Sequence, residues 1–308
     1  MRRLCVGTLF VAWGIAIAAA EYREQAKPGT PPEPSLRKLT DNLYVVEGAD
    51  PLNRDTFTGG NTGIFITTQG VVLVDTKNPG SGSMILKKVK SVTSKPVTTI
   101  INTHTHFDHA GSNGEFPATV EVVAHENVKK TMMRTPCPPI ASCYAGENAK
   151  FLPKRTVKDK LTLFSGTDQI DLYHFGAGHT NGDVFVVFPA LRTLQAGDMF
   201  QLKWLPFIDP GNGGSGVALP ETLKKAIAGI KNVDTIITGH GPVLKWRDFE
   251  EHAQVLADFL ATARKGISAG QTPEQLAKAY KLPAGYTSEG DGRAKDNFEM
   301  IYKELKAR

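Results

Sequence analysis

The chain has 308 residues, of which 41% are hydrophobic and 22% are charged. These proportions are ordinary for a globular protein and exclude a disordered chain, a collagen and a disulfide-stabilised miniprotein. The 36 Lys and Arg against 31 Asp and Glu give a formal charge of +5. No segment concentrates the basic residues into a stripe, so we expect no nucleic-acid partner.

The first twenty residues have the features of a secretory signal peptide. Arg2 and Arg3 precede an apolar run over residues 4–17, and alanines follow at 18–20. This pattern predicts cleavage before Glu21 and a periplasmic or secreted mature protein. The alternative is an uncleaved anchor, although the run is shorter than the roughly 20 residues that span a bilayer. No other stretch approaches that length, so we expect no stable membrane insertion after cleavage.

The rest of the chain divides into a lead-in and a single domain. Residues 21–38 are polar and rich in proline, which predicts a flexible segment. Over 39–308, strands and helices alternate without a long linker, which predicts one α/β domain with two similar halves. In chain order the patterns predict strands at 43–48, 61–67 and 70–75, a helix at 84–92, strands at 97–102 and 120–124, a helix at 126–133, strands at 170–175, 184–188 and 193–196, a helix at 221–230, a strand at 235–238, and helices at 247–265, 273–280 and 295–305.

Two loops interrupt this alternation, at residues 55–61 and 209–216. The second is rich in glycine but lacks the Gly-Lys-Ser/Thr ending of a phosphate-binding loop, so we expect a flexible loop without a nucleotide site. Either loop can border a substrate cleft. Trp204 and Phe207, shortly before the second loop, can equally line that cleft or belong to the core.

Two cysteines remain after the predicted cleavage. Cys137 and Cys143 are separated by five residues in a proline-rich stretch. In an oxidising compartment this spacing predicts a disulfide that pins the loop. The alternative is two free thiols.

A cluster of histidines follows the predicted strand at 97–102. His104, His106, Asp108 and His109 lie within six residues. Residues two apart in extended backbone point the same way, so His104 and His106 can share one metal ion. Asp108 and His109 come next and can hold a second ion. The alternative is a polar surface loop, but so many desolvated imidazoles are hard to satisfy without a cation.

Three later segments place a potential ligand in a glycine-flanked turn after a predicted strand. These ligands are His179, Asp198 and His240. Glycine lets the backbone turn sharply at such points. Each of the three residues, taken alone, is more often structural. Together with the first cluster they predict a metal site on the rim of a sheet.

The whole set resembles that of the metallo-β-lactamase-fold superfamily, from about residue 40 to 245. The resemblance implies a four-layer αββα sandwich with two metal ions, usually zinc. It implies that the first ion is held by His104, His106 and His179, and the second by Asp108, His109 and His240. Asp198 would bridge both ions. Imidazole and carboxylate ligands suit zinc.

The resemblance also implies a reaction, namely hydrolysis of an amide, ester or thioester by attack of water on its carbonyl carbon. Zinc makes hydroxide available at neutral pH, and Asp108 is placed to orient the attacking water. The pattern indicates a small-molecule substrate and no particular oligomeric state.

Two positions differ from the common subclass of secreted zinc β-lactamases. That subclass has cysteine in place of Asp198 and, in place of Gln201, a lysine that binds the substrate carboxylate; Lys203 is near but not aligned. An aspartate at 198 is more similar to glyoxalase II and to lactonases, although export argues against a cytoplasmic glutathione thioester. The sequence therefore predicts a secreted dinuclear zinc hydrolase that is β-lactamase-like. The alternative is lactonase or glyoxalase II-like thioesterase activity.

Two further alternatives belong to other classes. A non-catalytic metal-binding protein would be favoured by loss of a ligand, but all seven candidates are present. Iron-dependent redox chemistry usually requires a flavin domain, which we do not expect here. Among the other polar residues, Asp75 can equally support the site from behind or have no part in it. We expect His125 to start a helix, the alternative being a supporting role at the site, and His252 to be solvated in a charged helix.

Overall fold

The structure is a computed structural model that describes residues 33–48, 53, 56–287 and 292–307. The predicted signal peptide and most of the predicted lead-in lie outside these residues. Within the described ranges, no helix combines the length and the hydropathy that crossing a membrane requires.

The first sheet has its strands in sequence order. They are β1 (Leu36–Lys38), β2 (Leu43–Val46), β3 (Thr62–Ile66), β4 (Val71–Val74), β5 (Val97–Ile101), β6 (Glu121–His125) and β7 (Arg155–Val157). Neighbours from β1 to β4 are antiparallel, whereas neighbours from β4 to β7 are parallel. Parallel neighbours need crossover connections, and these contain α1 (Gly82–Val92), α2 (Phe107–Ala110) and α3 (Glu126–Met132).

The second sheet is mostly antiparallel. Its strands are β8 (Lys160–Leu163), β9 (Ile170–Tyr173), β10 (Phe185–Phe188), β11 (Thr193–Gln195), β12 (Thr235–Ile237) and β13 (Leu244–Lys245), in the spatial order β13-β12-β11-β10-β9-β8. The parallel pair is β11 with β12, and α4 (Leu219–Gly229) lies in the connection between them. Three helices follow the sheet: α5 (Trp246–Ser268), α6 (Pro273–Ala279) and α7 (Arg293–Lys306).

Alternation of apolar side chains along the strands produces the layers. In β4, Val72 and Val74 face the second sheet, whereas Val71 and Leu73 pack with residues of α1. Successive side chains of a strand point to opposite faces, so a strand that is apolar throughout must be covered on both sides.

The same alternation covers the second sheet. In β10, Val186 and Phe188 face the first sheet, and the ring of Phe188 lies 4.9 Å from that of Phe65. Phe185 and Val187 face the opposite way and pack with α4, α5 and α7. The result is the predicted αββα sandwich of four layers.

The helices and strands expected from the sequence are all present, with ends that differ by a few residues. Four strands were not predicted: β1, β7, β8 and β13. They are the outermost strands of the two sheets, and most of their residues are partly or fully exposed. Because β1 starts at Leu36, the predicted flexible lead-in to residue 38 is wrong at its end. The predicted disulfide between Cys137 and Cys143 is confirmed.

The solvated position expected for His252 is wrong. The residue lies on the face of α5 that also carries Phe249 and Leu256, and it is fully buried. Its imidazole stacks on the ring of Phe200, with 4.6 Å between the ring centres. Burial lowers the pKa of His252 to about 3.

We expect this buried histidine to make the protein less stable in acid. The unfolded chain takes up the proton near pH 6.5 and the folded chain only near pH 3, so the contribution of His252 is present above pH 6.5 and is lost as pH falls towards 3. His252→Gln should remove this dependence, which amounts to about 1.4 kcal/mol for each pH unit in that window. Urea unfolding of both proteins from pH 7 to pH 4 measures it, and parallel pH profiles would contradict the expectation.

Candidate metal centre

The seven predicted ligands meet at one rim of the sandwich, each in a segment that follows a strand. The segment after β5 carries four of them, and the segments after β9, β11 and β12 carry one each. The ligands are His104, His106, Asp108, His109, His179, Asp198 and His240. Six are buried, and the side chain of Asp108 is 15% exposed.

Three histidines form the first donor group. One ring nitrogen each from His104, His106 and His179 lies within 4.8 Å of the others. The Nδ1 of His106 is 2.9 Å from the Nε2 of His179. The Nε2 of His104 is buried and has no hydrogen-bond partner among the described residues. A buried nitrogen without a partner is costly, and a cation held by the three rings would satisfy it.

The second donor group contains Asp108, His109 and His240. The Nε2 atoms of the two histidines are 3.1 Å apart. The Oδ2 of Asp108 lies 3.4 Å from the Nε2 of His240 and 3.7 Å from that of His109. Two imidazoles and a carboxylate at these distances offer a second place for a cation.

The carboxylate of Asp198 lies between the two donor groups. Its Oδ2 is 3.5 Å from the Nε2 of His179 in the first group and 3.1 Å from the Nε2 of His240 in the second. Its Oδ1 is 3.1 Å from the Nε2 of His109. The geometry is that of a carboxylate able to touch ions in both groups, while its bridging role stays a prediction.

The local electrostatics suit metal binding. Burial lowers the pKa values of His104 and His179, which favours the neutral imidazole that a metal requires. Burial opposes ionisation of Asp198, but His240 and His109 hold the pKa of this carboxyl well below its usual range. His109 differs: burial disfavours its charged form, yet the carboxylate of Asp198 is foremost in raising its pKa, so a metal ion would have to displace a proton from this imidazole. Nitrogen donors with carboxylate oxygens fit a divalent metal ion of the zinc class.

Asp75, whose role the sequence left open, supports the second group from behind. Its Oδ2 lies 2.8 Å from the Nδ1 of His109. It also accepts hydrogen bonds from the backbone N–H and the hydroxyl of Thr103, at 2.8 and 2.7 Å. These contacts leave the Nε2 of His109 to face the centre.

Asp209 supports the first group in the same way, and this role was not predicted from the sequence. Its Oδ2 is 2.9 Å from the Nε2 of His106, while its Oδ1 accepts a hydrogen bond from the N–H of Gly211. Burial acts to raise the pKa of Asp209. Hydrogen bonds to the carboxylate, of which the one with His106 contributes most, outweigh burial and lower the pKa to about 2. The signal was the Asp-Pro-Gly turn, because aspartate commonly accepts from backbone N–H groups there.

The loop at 209–216 is therefore not the free flexible loop that was expected. The backbone N–H of Asp209 donates to the carbonyl of His179 at 2.9 Å, and that of Ser215 donates to the carbonyl of Gly178 at 2.9 Å. The loop is thus tied to the segment that carries a ligand.

Two glycines allow the ligands to approach the backbone. A Cβ atom at Gly60 would lie 2.3 Å from the ring of His109, and one at Gly239 would lie 2.1 Å from Oδ1 of Asp198.

The carbonyl of Gly60 accepts a 2.6 Å hydrogen bond from the buried ammonium of Lys77. Burial lowers the pKa of Lys77 to about 7. Sequence reasoning gave no role to this lysine.

A cavity of about 180 Å³ opens beside the two donor groups. It is lined by Phe57, His106, Phe107, Asp108, Ile140, Asp198, Gln201, Trp204, Phe207, His240 and Arg293. Trp204 and Phe207, whose place the sequence left open, are thus pocket residues. The loop at 209–216 contributes none of the described lining residues and supports the site from behind.

The remaining histidines of the central part of the chain lie outside the donor groups. His125 accepts a hydrogen bond from the N–H of Asn127 and caps α3, as expected for a helix start. Its ring stacks on that of His174, with 3.9 Å between the centres.

The sequence of residues 55–240 matches the profile of the metallo-beta-lactamase superfamily. The chain belongs to this superfamily. It is accordingly an enzyme of the metal-dependent hydrolase class, and hydrolases of this superfamily act on small-molecule substrates.

Similar proteins cover most of the chain. A metallo-beta-lactamase type 2 of Elizabethkingia meningoseptica is 23% identical over 240 residues, which are 77% of this chain and 89% of that protein. The 2,4-dinitroanisole O-demethylase subunit alpha of Nocardioides sp. (strain JS1661) is 30% identical over 220 residues, 69% of this chain and 62% of that protein. The structure of a metallo-beta-lactamase from Pontibacter korlensis has a TM-score of 0.60 at 20% identity and covers 73% of this chain and 99% of that one. The similarity to the Pontibacter korlensis structure shows that the two chains share a fold.

We expect Asp209→Asn to weaken metal binding by the first donor group. The carboxylate orients His106 through its Nε2, and removal of such a partner typically costs about 10- to 100-fold in metal affinity. Titration of the metal-free protein against a chromogenic chelator measures the change. Asp171→Asn is the control, since Asp171 is also buried but bonds to Thr162 and Gln169 away from the site. Wild-type affinity in Asp209→Asn would contradict the role assigned to this residue.

Proposed function

We propose that the chain is an exported hydrolase that uses two zinc ions to attack the carbonyl carbon of an amide, ester or thioester with water and to break the bond from that carbon to nitrogen, oxygen or sulfur. The observation that supports this is the placement of Asp198 between two donor groups that both open into one pocket. Each group offers three ligand atoms and leaves room for a substrate or water, as catalytic sites require.

Zinc bound to these groups would supply the Lewis acidity that polarises a carbonyl oxygen and lowers the pKa of water. The chain would supply orientation and proton transfer. Asp108 belongs to the second donor group and also lines the pocket. One of its carboxylate oxygens can accept a hydrogen bond from the attacking water, receive its proton and pass that proton to the leaving atom.

The pocket walls favour a substrate with an apolar body. Phe57, Phe107 and Trp204 provide aromatic surface around the metal-facing side. Such walls exclude water from the reacting carbonyl and bury the substrate's carbon skeleton. β-Lactams, lactones and thioesters all carry a carbonyl beside an apolar skeleton, and the experiment below separates them.

Export is part of the proposal. The signal-like residues 1–20 indicate it, and the disulfide between Cys137 and Cys143 supports it. Disulfides form and persist in oxidising compartments such as the periplasm and the extracellular space.

The test is hydrolysis by zinc-loaded residues 21–308, first of a chromogenic cephalosporin and then of lactones, esters and thioesters. We expect zinc-dependent turnover of one class with kcat/KM above about 10⁴ M⁻¹s⁻¹, the lower end for enzymes on their own substrates. His106→Ala should lose bound zinc and lower kcat/KM by about 100-fold or more, because it removes a donor of the first group. His174→Ala is the control, since it removes a histidine outside both groups.

Each arm of this experiment has a contrary outcome. Full hydrolysis by metal-stripped protein would overturn the enzyme mechanism. Two bound zinc ions without hydrolysis of any class would favour a non-catalytic metal-binding protein. Iron rather than zinc in protein produced without added metal would favour redox chemistry.

A further inference from the structure

The pocket wall contains a buried glutamine to which the metal chemistry gives no part. Gln201 comes directly after the segment that carries Asp198, lines the pocket and is only 2% exposed. It occupies the position where many secreted zinc β-lactamases carry a substrate-binding lysine. Its side-chain amide, unlike that lysine, is engaged within the protein, and these contacts indicate a different role.

The amide of Gln201 pairs with the backbone of Phe207 at two points. Its Oε1 accepts a hydrogen bond from the N–H of Phe207 at 3.1 Å. Its Nε2 donates to the carbonyl of Phe207 at 3.2 Å. Loss of either bond would leave a buried polar atom of Gln201 without that partner, which is costly. The glutamine therefore fixes the orientation of the Phe207 peptide groups.

The carbonyl of Phe207 reaches the first donor group. It lies 2.7 Å from the Nδ1 of His179. A carbonyl oxygen only accepts hydrogen bonds, so this contact places the hydrogen of His179 on Nδ1 and leaves Nε2 free to bind a metal ion. The Nε2 of Gln201 is also 3.2 Å from this Nδ1. Since both nitrogens carry hydrogen, the Phe207 carbonyl is the acceptor that they share.

The same glutamine holds an aromatic residue of the pocket wall. The Oε1 of Gln201 accepts a second hydrogen bond, from the indole N–H of Trp204 at 3.1 Å. Trp204 lines the pocket and is 4% exposed. A buried indole N–H needs an acceptor, and Gln201 supplies it. One side-chain amide thus connects the pocket wall with a ligand of the first donor group.

We propose that Gln201 is a positioning residue, which holds the ring of Trp204 in the pocket wall and, through the Phe207 carbonyl, the imidazole of His179 towards the metal. This inference rests on the proposed hydrolase function. Gln201 acts on the substrate through these residues, because both acceptor sites of its Oε1 are used within the protein.

Gln201→Met tests the proposal, since methionine has a similar length and lacks the amide. We expect zinc to bind about 3- to 10-fold more weakly, measured by titration of the metal-free protein against a chromogenic chelator. At saturating zinc, KM for 4-nitrophenyl butyrate should rise by about 3- to 10-fold, with a smaller change in kcat. These factors correspond to the loss of one neutral hydrogen bond at each place.

The fluorescence of Trp204 gives a readout that does not depend on activity. In a Trp246→Phe background, Trp204 is the sole tryptophan of residues 21–308. Acrylamide should quench it weakly, and quenching should increase in Gln201→Met because the indole loses its buried acceptor. In the same background with Gln201 intact, NMR should show one indole N–H signal that is protected from exchange with D₂O. Complete exchange within the mixing time would overturn the proposal.

Two variants serve as controls. Gln169→Met removes a partly buried glutamine whose Nε2 contacts the carboxylate of Asp171 at 3.1 and 3.2 Å, away from the site. It should leave zinc affinity, KM and quenching within about twofold of wild type. Trp204→Phe removes the indole N–H but keeps the pairing of Gln201 with Phe207. It should raise KM and leave zinc affinity within about twofold.

The contrary outcomes are distinct. A raised KM in Gln201→Met with unchanged zinc affinity and quenching would indicate direct contact with the substrate and overturn the proposal. Unchanged KM and quenching with weaker zinc binding would overturn the role in the pocket wall. If Gln201→Met does not fold, indole exchange and Trp204→Phe decide, and weaker zinc binding in Trp204→Phe would contradict the separate connections. Without hydrolysis of the ester, the hydrolase proposal is weakened, while the zinc titration and quenching still decide the role of Gln201.

Discussion

The buried carboxylate of Asp198 contacts imidazoles from three different segments of the chain. His109 follows a strand of the first sheet, whereas His179 and His240 follow strands of the second. A buried negative charge must be matched at close range, so these three strand ends are held in one arrangement. Gly60 and Gly239 permit this approach, because any larger residue would place a Cβ atom against a ligand.

Strand direction explains why the ligands share a rim. β4 and β5 are parallel, so Asp75 and the histidine segment leave the first sheet at the same edge. β11 and β12 are also parallel and deliver Asp198 and His240 together. β10 lies between β9 and β11 and is antiparallel to both, so β9 runs in the same direction as β11 and brings His179 to that edge as well. The carboxyl ends of these strands form a common edge around the metal centre.

Much of this arrangement could be predicted from the sequence because its signals are local. A strand followed by a glycine-flanked ligand is visible within about ten residues, and the apolar runs of β4 and β10 indicate burial on both faces. The contact between Asp209 and His106 could not be predicted, because the two residues are 103 positions apart and no local sequence pattern indicates such a contact. The burial of His252 was also not predicted, because it depends on which face of α5 packs against the core. The four unpredicted strands lie at sheet edges, where most of their side chains are exposed and no apolar alternation develops.

The disulfide loop has a consequence for the pocket wall. Its Ile140 carbonyl accepts a hydrogen bond from the N–H of Phe107 at 2.9 Å, and the N–H of Ser142, which precedes Cys143, donates to the carbonyl of Thr105 at 2.8 Å. A covalently closed ring is thus paired along its backbone with the segment that carries the first histidines. So short a loop restricts the unfolded chain less than a long one. Its effect is local: the covalent closure holds the loop whose backbone pairs with residues 105–107 beside the pocket.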